Sequence, residues 1–458
     1  MTIDIRRAAV LSVRRIIDQS GYASLVISQT LDSFGPQADD RDRRFYTNLV
    51  YTTVSHRETI DGYIAASSKV SLKKMDSFVR NVLRVGVCQL LYFDEVRPYA
   101  AVNESVRLVR SSRLKNLAPF TNAVLRSVQR TIEGQDQAKS KGQASPDIDL
   151  PGWVLEGLVR DYGEKTAQKI KEGFSGPHPL CLRINRLKGP AAGTMQAIRQ
   201  WADGKADIIP GSAIPEAVFL IRRTGGESLG NIEEFDAYRQ GMVTVQDESS
   251  MIAASLVEAG PNDKVLDLCA APGGKSLMMA DRMDDRGLIV SRDIHPGRVR
   301  LIRENAARMG ASIIRAEVSD ATRPRPEDKA AFDKVLLDAP CSGLGIVRSK
   351  PDILLHRRKE DLEQLETLQS EMLETAAQAV RTGGRLVYST CTLRKKENQD
   401  QVAAFLSRHP EFTLIDLEKE MTENGSRLSD AVYDRCLTML PVAKGREGFF
   451  AAAMIRTR

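Results

Sequence analysis

The stretch KVLDLCAAPGGKS (264–276) decides the fold of this chain. Its first half is an apolar run of strand length, and its second half is a Pro- and Gly-containing turn that opens a helical pattern, KSLMMADRM. The same rhythm continues downstream: LIVSRDI and then HPGRVRLIRENAARMG, SIIRAEV, FDKVLLDAP, a helix near 359–381, GGRLVYST and a last strand FFAAAMIR. Alternation of this kind predicts a mostly parallel sheet with helices on both faces, an α/β Rossmann-like domain. Ligands of such sheets bind outside the carboxyl ends of the strands, and the motifs considered below all fall there.

Working outward, residues 1–132 read as helices throughout. Apolar positions recur at three and four in IRRAAVLSVRRII, FYTNLVYTTVSHRETIDGYI, SFVRNVLRVGVCQLLYF, AVNESVRLVR and FTNAVLRSVQRTI. The polar, aromatic-free segment EGQDQAKSKGQASPDID (133–149) reads as a linker. From 150 to 250 the pattern is mixed, with short strands such as PLCLRIN and AVFLIRR. The expectation is a multidomain chain: an all-α helical domain over 1–140, a small α+β module over 150–250 and the α/β domain over 251–458.

A length of 458 residues agrees with several domains. Arginines interrupt MTIDIRRAAVLSVRR every few residues, and no apolar run reaches membrane-spanning length, so a cytoplasmic protein without a membrane partner is expected. The six cysteines (Cys88, Cys181, Cys269, Cys341, Cys391, Cys436) form no CxxC pair, which argues against a disulfide framework and against a zinc site. Net charge is +6, and residues 1–150 hold 22 Lys and Arg against 16 Asp and Glu, while the rest balance at 44 against 44. A basic surplus confined to the helical region suits an accessory nucleic-acid-binding domain, with Arg43, Arg44 and Arg57 as candidates for phosphate contact. A solvated helical surface explains the same surplus equally well.

After VLDLC the chain turns through AAPGGK, where Gly273 and Gly274 permit close backbone approach and Pro272 stiffens the turn. Asp293 ends the next strand, the position from which a carboxylate accepts from ribose hydroxyls, and Asp320 follows the third strand, within reach of an adenine edge. A pyrophosphate cofactor would call for GxGxxG, which is absent. The loop therefore fits an adenosine cofactor without a diphosphate, S-adenosyl-L-methionine.

Cys341 in LLDAPCSGLG and Cys391 in LVYSTCTL each lie just past an apolar strand on the ligand-binding edge, with small or polar neighbours. Carbon 5 of a pyrimidine is scarcely nucleophilic, and adding a thiolate at carbon 6 turns the ring into an enamine that attacks a methyl donor. Such chemistry also needs an acid at ring nitrogen 3, for which Asp338 is placed three residues before Cys341, and a base that removes the proton from carbon 5. Two thiols supply nucleophile and base, but the residues themselves do not rank them. The Pro-Cys motif of DNA enzymes with related chemistry favours Cys341 as nucleophile. The remaining four cysteines keep the plain reading of small core residues.

VQDESS, VLDLCAAPGGKS, DAPCSGLG followed by Pro351-Asp352, and YSTCTL followed by Glu397-Asn398 resemble the motifs of the Nop2/Sun family of RNA cytosine-C5 methyltransferases, over roughly 151–458. The resemblance implies a class I methyltransferase domain in which Cys391 attacks and Cys341 assists release. It also implies cofactor contacts at Cys269, Ala270, Ala271, Pro272, Gly273, Gly274, Lys275, Asp293, Asp320 and Asp338. DRDRRFYTNLVYTTV, AAVNESVRLV and FTNAVLR are similar to the NusB-like helical domain that a bacterial branch of that family carries, which implies 16S ribosomal RNA as substrate and partner. A monomer without a metal is expected. Departures from the family pattern are Ser276 for threonine, Glu447 for aspartate before GFF, and Arg394-Lys395-Lys396 where proline is common. Two other readings compete: an RNA-binding assembly factor with a vestigial enzyme half, and a nicotinamide-dependent oxidoreductase, which lacks GxGxxG and any evident hydride-transfer residue.

Overall fold

The structure is a computed structural model that describes residues 3–35, 38–136, 148–176, 178–223 and 229–458. Most of the expected linker, 137–147, lies outside them. The chain divides into two compact units, Met1–Gly152 with Val347–His356, and Trp153–Ile346 with Arg357–Arg458.

The first unit is helical: Ile5–Asp18, Ala23–Phe34, Asp40–Ser55, Arg57–Ala66, Ser77–Tyr92, Pro98–Arg110 and Ala118–Asp136. Ser77–Tyr92 is its centre, because nearly every residue from Val79 to Gln89 is buried. Its start is set by Asp76, whose carboxylate accepts from the N–H groups of Phe78 and Val79. A Cβ at Gly86 would lie 2.8 Å from Ser105 Oγ and 2.9 Å from Leu125 Cδ2, so glycine is what lets the two following helices press against this one. Arg84 is buried within the bundle and forms a fork on Asp61 at 2.7 and 2.8 Å. The segment Val347–His356 packs into this unit: Asp352 accepts from the Ala23 N–H at 3.1 Å, and the His356 ring stands edge-on to Tyr22. The chain therefore leaves the Cys341 loop, adds ten residues to the helical unit and returns at Arg357.

The second unit holds two sheets. The smaller has β1 (Leu180–Ile184), β2 (Ala206–Pro210), β3 (Ala217–Arg222) and β4 (Val243–Val245) in the antiparallel order β2-β3-β1-β4. Period-two alternation divides β1 between two environments. Leu182 and Ile184 pack with Ile198, Val218 and Phe235, while Arg183 on the opposite face is fully buried, donating to Gln246 at 2.8 Å and to Asp281 at 3.3 Å. Close backbone contact joins this sheet to the helix Pro296–Met309, because a Cβ on Gly241 would fall 2.0 Å from the Arg308 carbonyl oxygen.

The larger sheet has nine strands among the described residues: β5 (Lys264–Asp267), β6 (Leu288–Asp293), β7 (Ile314–Val318), β8 (Phe332–Asp338), β9 (Val380–Thr390), β10 (Phe412–Leu414), β11 (Ala431–Asp434), β12 (Cys436–Met439) and β13 (Phe449–Arg456). Its order is β11-β12-β13-β9-β8-β5-β6-β7, with β10 on β13. β5 to β9 are parallel, as the alternation predicts. The other edge is antiparallel, a difference from the mostly parallel expectation, because β10, β11 and β12 have three or four residues each and leave no periodic signal. Chain order reverses direction at β5, which puts a crevice at the carboxyl ends of β5 and β8.

Asp267, the last residue of β5, is fully buried and accepts from Ser276 Oγ at 2.6 Å, which lies 2.7 Å from Ser291 Oγ. Burial pushes its carboxyl up to about 7. Because this exceeds the unfolded value near 3.9, the folded chain takes up a proton between about pH 4 and pH 7. The stability carried by the protonated group is complete below the unfolded pKa and lost as pH rises through the folded one. Asp267→Asn, an uncharged mimic of the protonated acid, is expected to gain stability relative to wild type as pH rises. It should remove up to about 1.4 kcal/mol per pH unit of slope in urea unfolding. A slope identical to wild type between about pH 5 and 8 would contradict the assignment.

Candidate active site

The loop between β5 and the helix Gly274–Arg282 is shaped by its own sequence. Gly273 adopts φ +106°, which a side chain would strain, and the Ala271–Pro272 peptide is cis. The neighbouring helix Pro296–Met309 holds the loop, since Asn305 Nδ2 donates to the Pro272 carbonyl and one Arg298 nitrogen donates to that of Ala271, both at 3.1 Å. The other terminal nitrogen of Arg298 lies 3.2 Å from Asp293, which ends β6 and is buried. Ala270 is tied to the sheet through its N–H on the Arg292 carbonyl. Cys269 lies partly buried beside Asp267, Asp338 and Asp293; burial first, and then these carboxylates, push its thiol far up, so it stays protonated. Asp320 follows β7, where Thr322 donates to it through N–H and Oγ1 and holds its carboxyl below the usual range.

At the ends of β8 and β9 three groups converge. Asp338 pairs in register with Ser389, which donates to its Oδ1 at 2.8 Å, and Lys275 Nζ sits 2.7 Å from Oδ2. Lys275 comes from the first turn of the helix after the glycine loop, and its ammonium also lies 5.0 Å from the centre of the Phe449 ring. The sulfurs of Cys341 and Cys391 are 3.3 Å apart. Cys341 is buried and Cys391 is half-buried. The Cys391 sulfur, more than burial, raises the Cys341 thiol well above its ordinary value, so Cys341 is protonated at rest. Arg357 donates to the Cys341 carbonyl at 3.1 Å, and the Gly345 N–H donates to that of Cys391 at 3.0 Å. The other cysteines take no part here: burial raises Cys88 and Cys436 to about 12 and Cys181 well above its ordinary value.

Several participants are beyond sequence reasoning. Lys275 was expected to meet a cofactor, and its ion pair with Asp338, 63 positions away, has no local signal. Asp247, in VQDESS, caps its helix at the Ser249 N–H and also accepts from the Glu447 N–H at 3.3 Å. Burial and the facing Glu447 carboxylate push Asp247 up to about 6, while His178 stands 2.9 Å from Glu447. The motifs VQDESS and REGFF marked these positions, but their mutual contact spans 200 residues. In the helical unit, Arg43 is committed to the carbonyls of Leu31, Gly35 and Ala38, and Arg44 donates to that of Asp40. Among the described residues there is no group of three or more His, Cys, Asp and Glu arranged to hold a metal, and no helix long and apolar enough to cross a membrane.

Residues 254–455 match the sequence profile described as 16S rRNA methyltransferase RsmB/F, and residues 4–130 match that of the NusB family. A probable ribosomal RNA small subunit methyltransferase B of Bacillus subtilis is 32% identical over 454 residues, 98% of each chain. The ribosomal RNA small subunit methyltransferase B of Xylella fastidiosa is 33% identical over 442 residues, 96% of this chain and 97% of its own. Among solved structures, PH0851 matches with a TM-score of 0.80 over 99% of both chains at 23% identity, which shows a shared fold. Since the likeness runs through the helical unit and both sheets rather than through one motif, the chain belongs to the ribosomal RNA small subunit methyltransferase B family.

Proposed function

We propose that the protein transfers a methyl group from S-adenosyl-L-methionine to carbon 5 of one cytosine in 16S ribosomal RNA, with Cys391 bonded transiently to carbon 6. The observation that carries this reading is the pair of sulfurs 3.3 Å apart at the ends of adjacent parallel strands, one strand ending in the Asp338 that is paired to Lys275. A vestigial domain or a nicotinamide enzyme has no use for such a pair. Family membership and the names of the relatives support the RNA substrate. In this reading the helical domain over 1–140 binds RNA, the module over 150–250 flanks the site and 251–458 performs the chemistry.

The residues present fit the cofactor. The helix Gly274–Arg282 has a glycine at its N-cap, so its first N–H groups stay available to a carboxylate. Cys269 to Lys275 would hold the methionine end, Asp293 would accept from the ribose hydroxyls, and Asp320 would accept from the adenine amino group. When bound, the cofactor supplies an electrophilic methyl group. The base has to leave its stack for carbon 6 to meet Cys391. As Cys391, its proton lost to water, bonds to carbon 6, the electrons of the C5=C6 bond move onto carbon 5 and nitrogen 3 takes up a proton delivered through the Asp338 carboxyl, which Lys275 holds in place. After transfer, Cys341 as thiolate takes the proton from carbon 5; the freed electron pair restores C5=C6 and the Cys391–C6 bond breaks. The proton delivered to nitrogen 3 is the one that Cys341 carries at rest, which leaves Cys341 a thiolate for this step, and nitrogen 3 releases it to water as C5=C6 is restored.

Labelled cofactor and 16S RNA lacking the modification test the assignment. Wild type should yield 5-methylcytidine, Cys391→Ala none, and Cys341→Ala a protein–RNA adduct that survives a denaturing gel. An adduct trapped in Cys391→Ala instead would reverse the two roles. Lys275→Met should lower kcat by on the order of 10² to 10⁴, with the adduct still formed at long times. Retention of wild-type kcat would remove Lys275 from the chemistry.

A further inference from the structure

The turn Lys395–Glu397 lies just beyond Cys391, and the Glu397 side chain is fully buried. Its carboxylate is saturated by donors from three segments. Oε2 accepts from the Ser342 N–H at 2.8 Å and from Gln369 Nε2 at 3.0 Å; Oε1 accepts from Ser342 Oγ at 2.6 Å and from Arg394 at 2.9 Å. Ser342 follows Cys341 directly, and its hydroxyl also lies 2.7 Å from that of Thr392, which follows Cys391 directly. Gln369 Nε2 reaches the Pro340 carbonyl on the other side of Cys341. Asn398 does the same for Cys391, accepting from Thr390 Oγ1 at 2.6 Å and donating to the Thr392 carbonyl at 2.9 Å. Both neighbours of each thiol are therefore bound by Glu397, by a residue next to it or by one of its donors.

We propose that Glu397 is a positioning residue that sets the distance between the two reactive sulfurs, by joining the Cys341 loop to the Cys391 loop through one buried carboxylate. A carboxylate is the side chain that suits the place, because each of its oxygens meets two donors and a carboxylate has acceptors alone. Glutamine would turn an NH2 toward either the Ser342 N–H with Gln369, or Arg394, setting donor against donor. Burying the charge is costly, and four donors, one of them a guanidinium, offset that cost. Apolar packing would be less expensive, but it carries no direction with which to hold two loops a set distance apart. Ser342 and Thr392 beside the cysteines, plain small residues by composition, become a rung between the loops.

This inference rests on both thiols serving one reaction, and its test reads their spacing in the full chain without RNA or cofactor. The probe is dibromobimane, which fluoresces once both of its arms have alkylated sulfurs a few ångströms apart, with Cys341→Ala and Cys391→Ala defining the background. Glu397→Gln and Glu397→Ala are expected to slow bridging several-fold. With RNA they should lower kcat by on the order of 10²-fold while leaving KM for S-adenosyl-L-methionine unchanged. Glu397→Asp, which keeps the charge, should recover part of both losses. Ser342→Ala removes one of the four donors and should fall between wild type and Glu397→Ala. A folded Glu397 variant that bridges at the wild-type rate overturns the proposal. If no Glu397 variant folds, a Ser342→Ala protein bridging at the wild-type rate overturns it. A wild type that bridges rapidly but methylates no RNA would instead overturn the catalytic reading and leave the role of Glu397 standing.

Discussion

The register between β8 and β9 is the constraint on which the rest depends. The strands run parallel with Asp338 opposite Ser389, so both chains leave the sheet at one level. Cys341 comes three residues later on one and Cys391 two residues later on the other. Shifting the pairing by one residue would exchange the faces of β9 and send Leu386 and Tyr388 into the packing that now holds Val387, so the different side chains packed on the two faces enforce the level. Leu386 and Tyr388 pack on one face with Leu337 and Phe450, while Val387 packs on the other with Leu336 and Ala451. The sulfur pair is thus a consequence of core packing some way below it.

Above the sheet there is little room. A Cβ on Gly345 would stand 2.3 Å from the Gly448 carbonyl oxygen and 2.9 Å from that of Cys391, so three backbone segments meet where a side chain has no space. Their N–H groups are spent on one another: Gly448 donates to the Gly345 carbonyl, and Gly345 donates to the Cys391 carbonyl. The Glu447 N–H, next along, reaches Asp247 at the start of the helix Glu248–Ser255. The antiparallel strand β13 therefore does more than widen the sheet. It brings a third backbone against the two loops that carry the thiols.

What was legible in the sequence follows from how far each signal reaches. Strands β5 to β9 and the helices after β5 and β6 announce themselves by local periodicity, and each motif could be placed at a strand end because the strand itself was evident. Pairing between motifs has no such signature. Lys275 with Asp338, Asp247 with the Glu447 backbone, and Arg183 with Asp281 join positions 63, 200 and 98 apart, and each depends on register and crossing geometry that a single sequence does not state. The short strands β10 to β12 have too few residues to show alternation. Val347–His356 reads as an ordinary continuation of the DAPCSGLG motif, and its place in the helical unit comes from contacts such as Asp352 on the Ala23 N–H, 329 positions away.

Two fully buried carboxyl groups in the same unit show how environment divides their work. Asp267 has serine hydroxyls for company, and burial moves its carboxyl toward the protonated form near neutral pH, where it behaves as one more polar group of the core. Glu397 faces four donors, among them the Arg394 guanidinium, so both of its oxygens are met by N–H and O–H groups. The difference lies in what each holds. Asp267 ties a strand end to the first turn of a helix that the core already orders, so a neutral acid with one strong hydrogen bond suffices. Glu397 ties two loops that have no strand between them, and the hydrophobic effect alone would leave such loops free to slide, since it rewards buried area and not direction. A carboxylate with four directed hydrogen bonds removes that freedom at the one place where two sulfurs stand 3.3 Å apart.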